Sequence, residues 1–273
     1  MTPLPQGPVT LENVTVPACL LGKPGDLVRT DLSVGADGRL AGPQAVRVDM
    51  KGAMVLPCFV DMHTHLDKGH IWPRSPNPDG TFMGALTTVA ADREARWDAA
   101  DVRARMEFAL KCAYAHGTRA IRTHLDSIPP QDGISFPVFR EVQAEWADRI
   151  ALQASCLVAI DRAEFDGSFI ATADQVAATP GGVLGMVTYP CSDLQARLDA
   201  FFALAEARGL AVDFHVDETM DPTVNTLISI ARTVIARRFP HPVTVGHVCS
   251  LSTMPEAEAR TTLDLVAEAG LQV

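Results

Sequence analysis

The strongest constraint on this chain is a regular alternation of apolar strand-like segments with helical ones from Lys51 onward. The strand candidates are AMVLPCFVDM, TRAIRTHLD, IALQASCLVAI, GVLGMVTY, LAVDFHVD and HPVTVGHV, with Leu271-Gln272-Val273 as a stub at the end. From the second onward they begin roughly 30 residues apart, the length of a βα unit. The first gap is about twice as long and holds a Pro/Gly-rich loop between Gly69 and Thr81. Helical periodicity is clearest over residues 101–116, 193–208, 222–238 and 255–269. Asp221-Pro222 suits a helix start, and Gly117, Gly209 and Gly270 stand where a left-handed C-terminal residue is wanted. Strands apolar on both faces, alternating with helices, require a parallel sheet covered by helices.

Two architectures meet that requirement. An open doubly wound sheet gathers its ligands at one switch point. A barrel draws functional groups from the C-terminal ends of many strands. Polar residues end four strands here: His63 and His65, His124 and Asp126, His215 with Asp217 and Glu218, and His247. No Gly-rich phosphate loop is present. A (β/α)8 TIM-type barrel is therefore expected, incomplete at about six strands plus the stub, and the sequence reads as a truncated product. Residues 1–54 differ in texture, with short extended pieces (TLENVTV, ACLLG, DLSVGA, AVRVDM) between turn signals such as Asp37-Gly38. They are expected to form part of a small β-sandwich, leaving residues 55–273 for the barrel.

Composition narrows the function. A net charge of −10 argues against a nucleic-acid surface, which needs clustered Lys and Arg. Hydrophobic residues at 47% and charged residues at 21% make a globular balance rather than a disordered one. No basic leader with an apolar run opens the chain and no stretch has membrane-spanning length, so a cytoplasmic location with no membrane partner is expected. The six cysteines are scattered without a C-x-x-C pair, which reads as free thiols in a reducing compartment.

His63-Thr64-His65 places two imidazoles on one face of a strand, because strand side chains alternate. Both can reach one ion, and His suits Zn²⁺ or Fe²⁺; two polar residues at a strand end without metal is the plain alternative. His215 ends another strand, with Asp217 two residues on expected to share its face. Glu218 follows past the strand end, where a carboxylate can serve a bound substrate as general acid/base. His247 closes the next strand, where a backbone-bonded core histidine is the competing reading.

Taken together, VLPCFVDMHTHLDK, RTHLD, DFHVDE and VGHVCSLS resemble the amidohydrolase superfamily, and specifically its cytosine deaminase branch, over nearly the whole chain. The resemblance implies that His63, His65 and His215 hold one divalent ion, Fe or Zn. It implies that Glu218 shuttles protons and His247 orients the attacking hydroxide or polarises the reacting carbon. It implies that Gln153 binds the pyrimidine edge, with a satisfied core amide as the alternative. His124 and Asp126 then support the site from behind, and the family's remaining aspartate ligand lies beyond the sequence. The expected activity is hydrolytic deamination of cytosine or a related amino-substituted heterocycle, releasing ammonia. The alternatives are an N-alkyl aminotriazine amidohydrolase, to which Lys68 in HLDK points unless it is a solvated loop residue, and an inactive fragment. Ala159-Ile160-Asp161 departs from the Pro-Gln stretch of cytosine deaminases. The other zinc deaminase class, marked by H-x-E and P-C-x-x-C, is excluded. The partner expected is a small heterocyclic substrate; a homo-oligomer is compatible with the sequence and not specified by it.

Overall fold

The structure, a computed structural model, describes residues 4–273. It divides into two compact units, Met1–Cys58 and Phe59–Val273. The division falls beyond residue 54 because a bridge pairs Thr15 with Met54 and the Val55 amide donates to the Thr15 carbonyl (2.9 Å).

In the first unit, β1 (Val9–Pro17) lies between β2 (Leu27–Val34), antiparallel, and β3 (Arg47–Asp49), parallel. Val9, Leu11, Val14 and Val16 form its small core. The ladder slips between Leu11 and Val14, where Asn13 adopts φ +55° and its side chain donates to Asp49 (3.1 Å). Asp37-Gly38 forms the expected turn, with Gly38 at φ +73°. The expected strand at ACLLG is instead a 3₁₀ turn over Ala18–Leu21, closed by Gly22 in the left-handed region. Pro17 has no N–H to continue a ladder.

The second unit carries β4 (Phe59–Thr64), α1 (Phe82–Arg96), α2 (Ala99–Ala115), β5 (Thr118–Asp126), α3 (Asp132–Trp146), β6 (Ala151–Leu157) and α4 (Ser168–Ala177). There follow β7 (Leu184–Thr188), α5 (Leu194–Arg208), β8 (Val212–Val216), α6 (Thr226–Arg237), β9 (Val243–His247) and α7 (Glu256–Ala269). All strand pairs are parallel, in two sheets ordered β4-β5-β6 and β7-β8-β9. Isolated bridges Ser155–Val183 and Ala159–Val187 stitch β6 to β7. Beyond β9, Gln272 makes one parallel bridge to Thr244, so the stub does begin a further pairing. This is the incomplete (β/α) barrel expected from the strand rhythm.

Helices cover the outer face. Phe201 and Phe202 of α5 pack on Phe214 of β8 at ring separations of 4.9 and 5.7 Å, all fully buried. All five residues of β8 are buried, whereas Phe59, Val60 and Met62 of the edge strand β4 are exposed. Gly117, Gly209 and Gly270 do follow their helices at positive φ. The start of α6 differs from expectation: Asn225, not Asp221, caps it, accepting from the Ile228 amide (3.3 Å). Asp221 closes a tight turn on Thr223 instead (2.9 Å to its amide, 2.7 Å to its hydroxyl). No helix among the described residues is long and apolar enough to cross a membrane.

Candidate metal centre

The parallel register carries four strand-end histidines to one point. His63 at the end of β4 lies 4.3 Å, ring to ring, from His124 of β5 and 4.6 Å from His215 of β8. His124 and His215 are 4.6 Å apart, and His247 of β9 stands 4.7 Å from His63 and 4.8 Å from His215. One nitrogen each from His63, His124 and His215 falls within a 4.8 Å cluster. His124, expected only to support the site, is thus at its heart. Alternation along β5 places Arg122, His124 and Asp126 on one face, so the imidazole enters where the strand meets the interior.

His65 borders the cluster, with ring separations of 5.5 Å from His63 and His124 and 5.4 Å from His215. Its Nδ1 faces the His124 carbonyl oxygen at 3.1 Å. A carbonyl only accepts, so this contact holds the proton on Nδ1 and leaves the Nε2 lone pair for a ligand. Gly246 makes room for the cluster: a Cβ there would stand 3.2 Å from Nδ1 of His63. Sequence reasoning did not single out Gly246, although it directly precedes His247.

The donor set fits a metal ion. Nε2 of His63 and both ring nitrogens of His124 and of His215 are buried without a hydrogen-bond partner among the described residues. Each such orphan ordinarily costs about 1–3 kcal/mol, which coordination relieves. Burial, reinforced by neighbouring positive charge, also drives the imidazoles towards their neutral form. It lowers His63, takes His65 to about 3 and His124 to about 2, and depresses His215 further. Neutral imidazoles are the form a metal needs.

These shifts set a pH dependence. In the chelated, metal-free protein the four histidines resist protonation when folded but take up protons freely when unfolded below about pH 6.5. Stability is therefore present above that pH and lost as pH falls. Two carboxyls oppose this: burial raises Asp213 to about 6, and burial beside Asp126 raises Asp67. Four imidazoles against two carboxyls leave a net loss, so the urea midpoint should fall between pH 7 and pH 5, where ordinary carboxylates stay largely ionised. A flat or rising midpoint would contradict the buried-imidazole picture.

Glu218 and His247 meet at the rim, with Oε1 of Glu218 3.8 Å from Nδ1 of His247. Asp217 does not share the face of His215 as its spacing suggested. Its φ of +48° breaks the alternation, and its buried carboxylate accepts from the Thr226 hydroxyl (2.6 Å) and the Leu227 amide (3.1 Å) at the start of α6. Asp217 anchors the turn that presents Glu218. His247 (φ +67°) and Val248 (φ +44°) are also left-handed, a strained geometry for a β-branched residue of the kind that clusters at functional sites.

Behind the centre, Asp126 is held by Lys68 and Arg93, each at 2.7 Å. Burial opposes its ionisation, but those two cations keep its pKa below the ordinary value. Lys68 is thus tied into the site rather than solvated. Asp67 accepts from the Asp126 amide (2.8 Å) and the Ser135 hydroxyl (3.2 Å), locking the loop after β4 onto β5. Gln153 is not brought to the imidazoles. It pairs in register with Arg122, two residues before the His124–Ser155 row, and accepts from Arg122 Nε at 3.1 Å. The strand ends two turns of the pleat later, so its amide is spent low in the barrel. Trp72 is exposed in the loop beyond β4, and all six cysteines are free.

Comparison with known proteins agrees with this fold. Residues 47–155 match the amidohydrolase family model. A pterin deaminase from Rhizobium rhizogenes is 49% identical over the whole chain, which spans 65% of that relative's length. The solved structure of N-isopropylammelide isopropylaminohydrolase from Burkholderia multivorans superposes with a TM-score of 0.74 at 25% identity, over 97% of this chain and 67% of that one. That of 5-methylcytosine deaminase from Klebsiella pneumoniae gives 0.74 at 21% identity, over 96% and 64%. With its strand-end imidazoles and parallel barrel strands, the chain carries an amidohydrolase family domain over residues 47–155 and is similar to these deaminases and this aminohydrolase over nearly its whole length.

Proposed function

We propose that this protein contributes the metal centre of a hydrolytic deaminase acting on an amino-substituted heterocycle, with a pterin as the favoured substrate. The observation that carries the reading is the convergence of strand-end imidazoles whose buried nitrogens have no partner among the described residues. The ligands are His63, His124 and His215, with Nε2 of His65 adjacent, and imidazole suits either Zn²⁺ or Fe²⁺. When bound, the ion's contribution is Lewis acidity, which makes water a competent nucleophile near neutral pH. Glu218, at the rim, takes the proton of the attacking water and returns it to the departing amine. The ring C–N bond to the exocyclic amine breaks, a C–O bond forms, and ammonia leaves. His247, held opposite Glu218, donates a hydrogen bond that orients the water.

The pterin deaminase relative supports the bicyclic substrate. Ala159, bridged to Val187, which itself pairs with His215, puts a small side chain in the row of that imidazole, where a larger ring needs space. Cytosine is the second reading, favoured by the order H-x-H-L-D, R-T-H-x-D and H-x-D-E. Amine release by zinc- or iron-loaded protein, ammonia from pterin or cytosine and isopropylamine from N-isopropylammelide, followed in parallel, separates them. Pterin should be turned over fastest; metal-loaded protein that releases ammonia from neither pterin nor cytosine would sink the deaminase reading.

A further inference from the structure

The imidazoles come from two sheets. His63 and His124 stand on β4 and β5, His215 and His247 on β8 and β9. The seam between the sheets is stitched by isolated bridges rather than a continuous ladder. The spacing of the ligands therefore depends on whatever holds the two halves at a set distance across the interior.

One side chain spans that interior. Arg122 of β5 donates from Nη1 to Asp213 Oδ2 on β8 (2.9 Å) and to Thr244 Oγ1 on β9 (3.1 Å), while its Nε donates to Gln153 on β6 (3.1 Å). Among the described residues this is the one ion pair that joins strands of the two sheets. Arg122 precedes His124 by two residues and Asp213 precedes His215 by two, so both lie on the inward face one row beneath the imidazoles. Asp213 is 2% exposed, and a carboxylate so buried needs its partner.

We propose that Arg122 is a positioning residue: a guanidinium clamp beneath the centre that sets the separation of β5 from β8 and β9, and with it the convergence of His124 on His215. The inference rests on the metal reading above. The planar fork suits the role, because its donors leave in fixed directions and meet three strands at once, which a lysine ammonium on a flexible stem does not reproduce. Buried ion pairs add little net stability over apolar packing, so the clamp's effect is sought in ligand geometry rather than in folding.

The test is a Zn²⁺ titration against a chromophoric chelator, with the Co²⁺ absorption spectrum as a geometric readout, on the full chain and on Arg122→Met, Arg122→Lys and Thr244→Val. Arg122→Met should weaken metal binding by about 10–100-fold, the range for residues that orient ligands. Arg122→Lys should restore the thermal midpoint yet leave affinity and spectrum altered. Thr244→Val removes one arm at nearly constant volume and should cost about 2–10-fold, the worth of one hydrogen bond, at an unchanged midpoint. If Arg122→Met does not fold, the other two variants decide. Lys and Val variants with unaltered affinity and spectrum overturn the clamp. If the unsubstituted chain takes up no metal, the metal reading falls, and the ring ¹H–¹⁵N signals of His124 and His215 judge the clamp alone. Shifts in Arg122→Lys and Thr244→Val support it; unmoved signals overturn it.

Discussion

Replacing His215 by alanine should abolish stoichiometric metal binding, weakening affinity more than about 100-fold, beyond the 10–100-fold cost of removing residues that only orient ligands. His215 is 4% exposed, its ring lies within 4.9 Å of His63, His124 and His247, and neither of its nitrogens meets a partner among the described residues. Neither nearby carboxylate can substitute, because Asp217 is committed to the start of α6 and Asp213 to Arg122. His124→Ala should behave alike, which separates a ligand role from the supporting role its motif suggested. His116→Ala is the control, since that ring lies at a helix end with Nδ1 2.7 Å from the Cys112 carbonyl. Elemental analysis after dialysis and competition with a chelator read the outcome. Full metal content in both His124→Ala and His215→Ala would dispose of the metal centre.

Glu218→Gln should leave metal content unchanged while lowering ammonia release by about 10²–10⁴-fold, the usual worth of a positioned general acid/base. The substitution is nearly isosteric and keeps a polar contact towards His247, but an amide cannot carry the proton. Its backbone setting is independent of the ion: the left-handed turn at Asp217, anchored on Thr226 and Leu227, aims the side chain. The loss should appear in kcat, with KM little changed, as for an interaction made only in the transition state. Retention of activity within tenfold would move the proton-transfer role elsewhere, with His247 the next candidate.

The sequence by itself determined the alternating strand and helix architecture and the placement of histidines at strand ends. Strand runs apolar on both faces at βα spacing predicted the parallel sheet, left-handed glycines marked three helix ends, and histidines at strand ends pointed to the cluster. These signals are local: they depend on side-chain alternation and on turn conformations that a few residues settle. Helices α1 and α3 were less legible because Gly84, Gly133 and Pro137 interrupt their pattern.

Only the tertiary structure decided which polar strand residues face one another. Spacing put Asp217 beside His215, but one positive φ turned it into the anchor of α6. Gln153 and His124 lie on successive inward rows, and register with Arg122 spent the glutamine low in the barrel while the histidine reached the cluster. Gly246 and the Arg122–Asp213 pair act across gaps of more than ninety residues. Such contacts arise from sheet curvature and strand stagger, which sum over the whole array, and no short window of sequence encodes them.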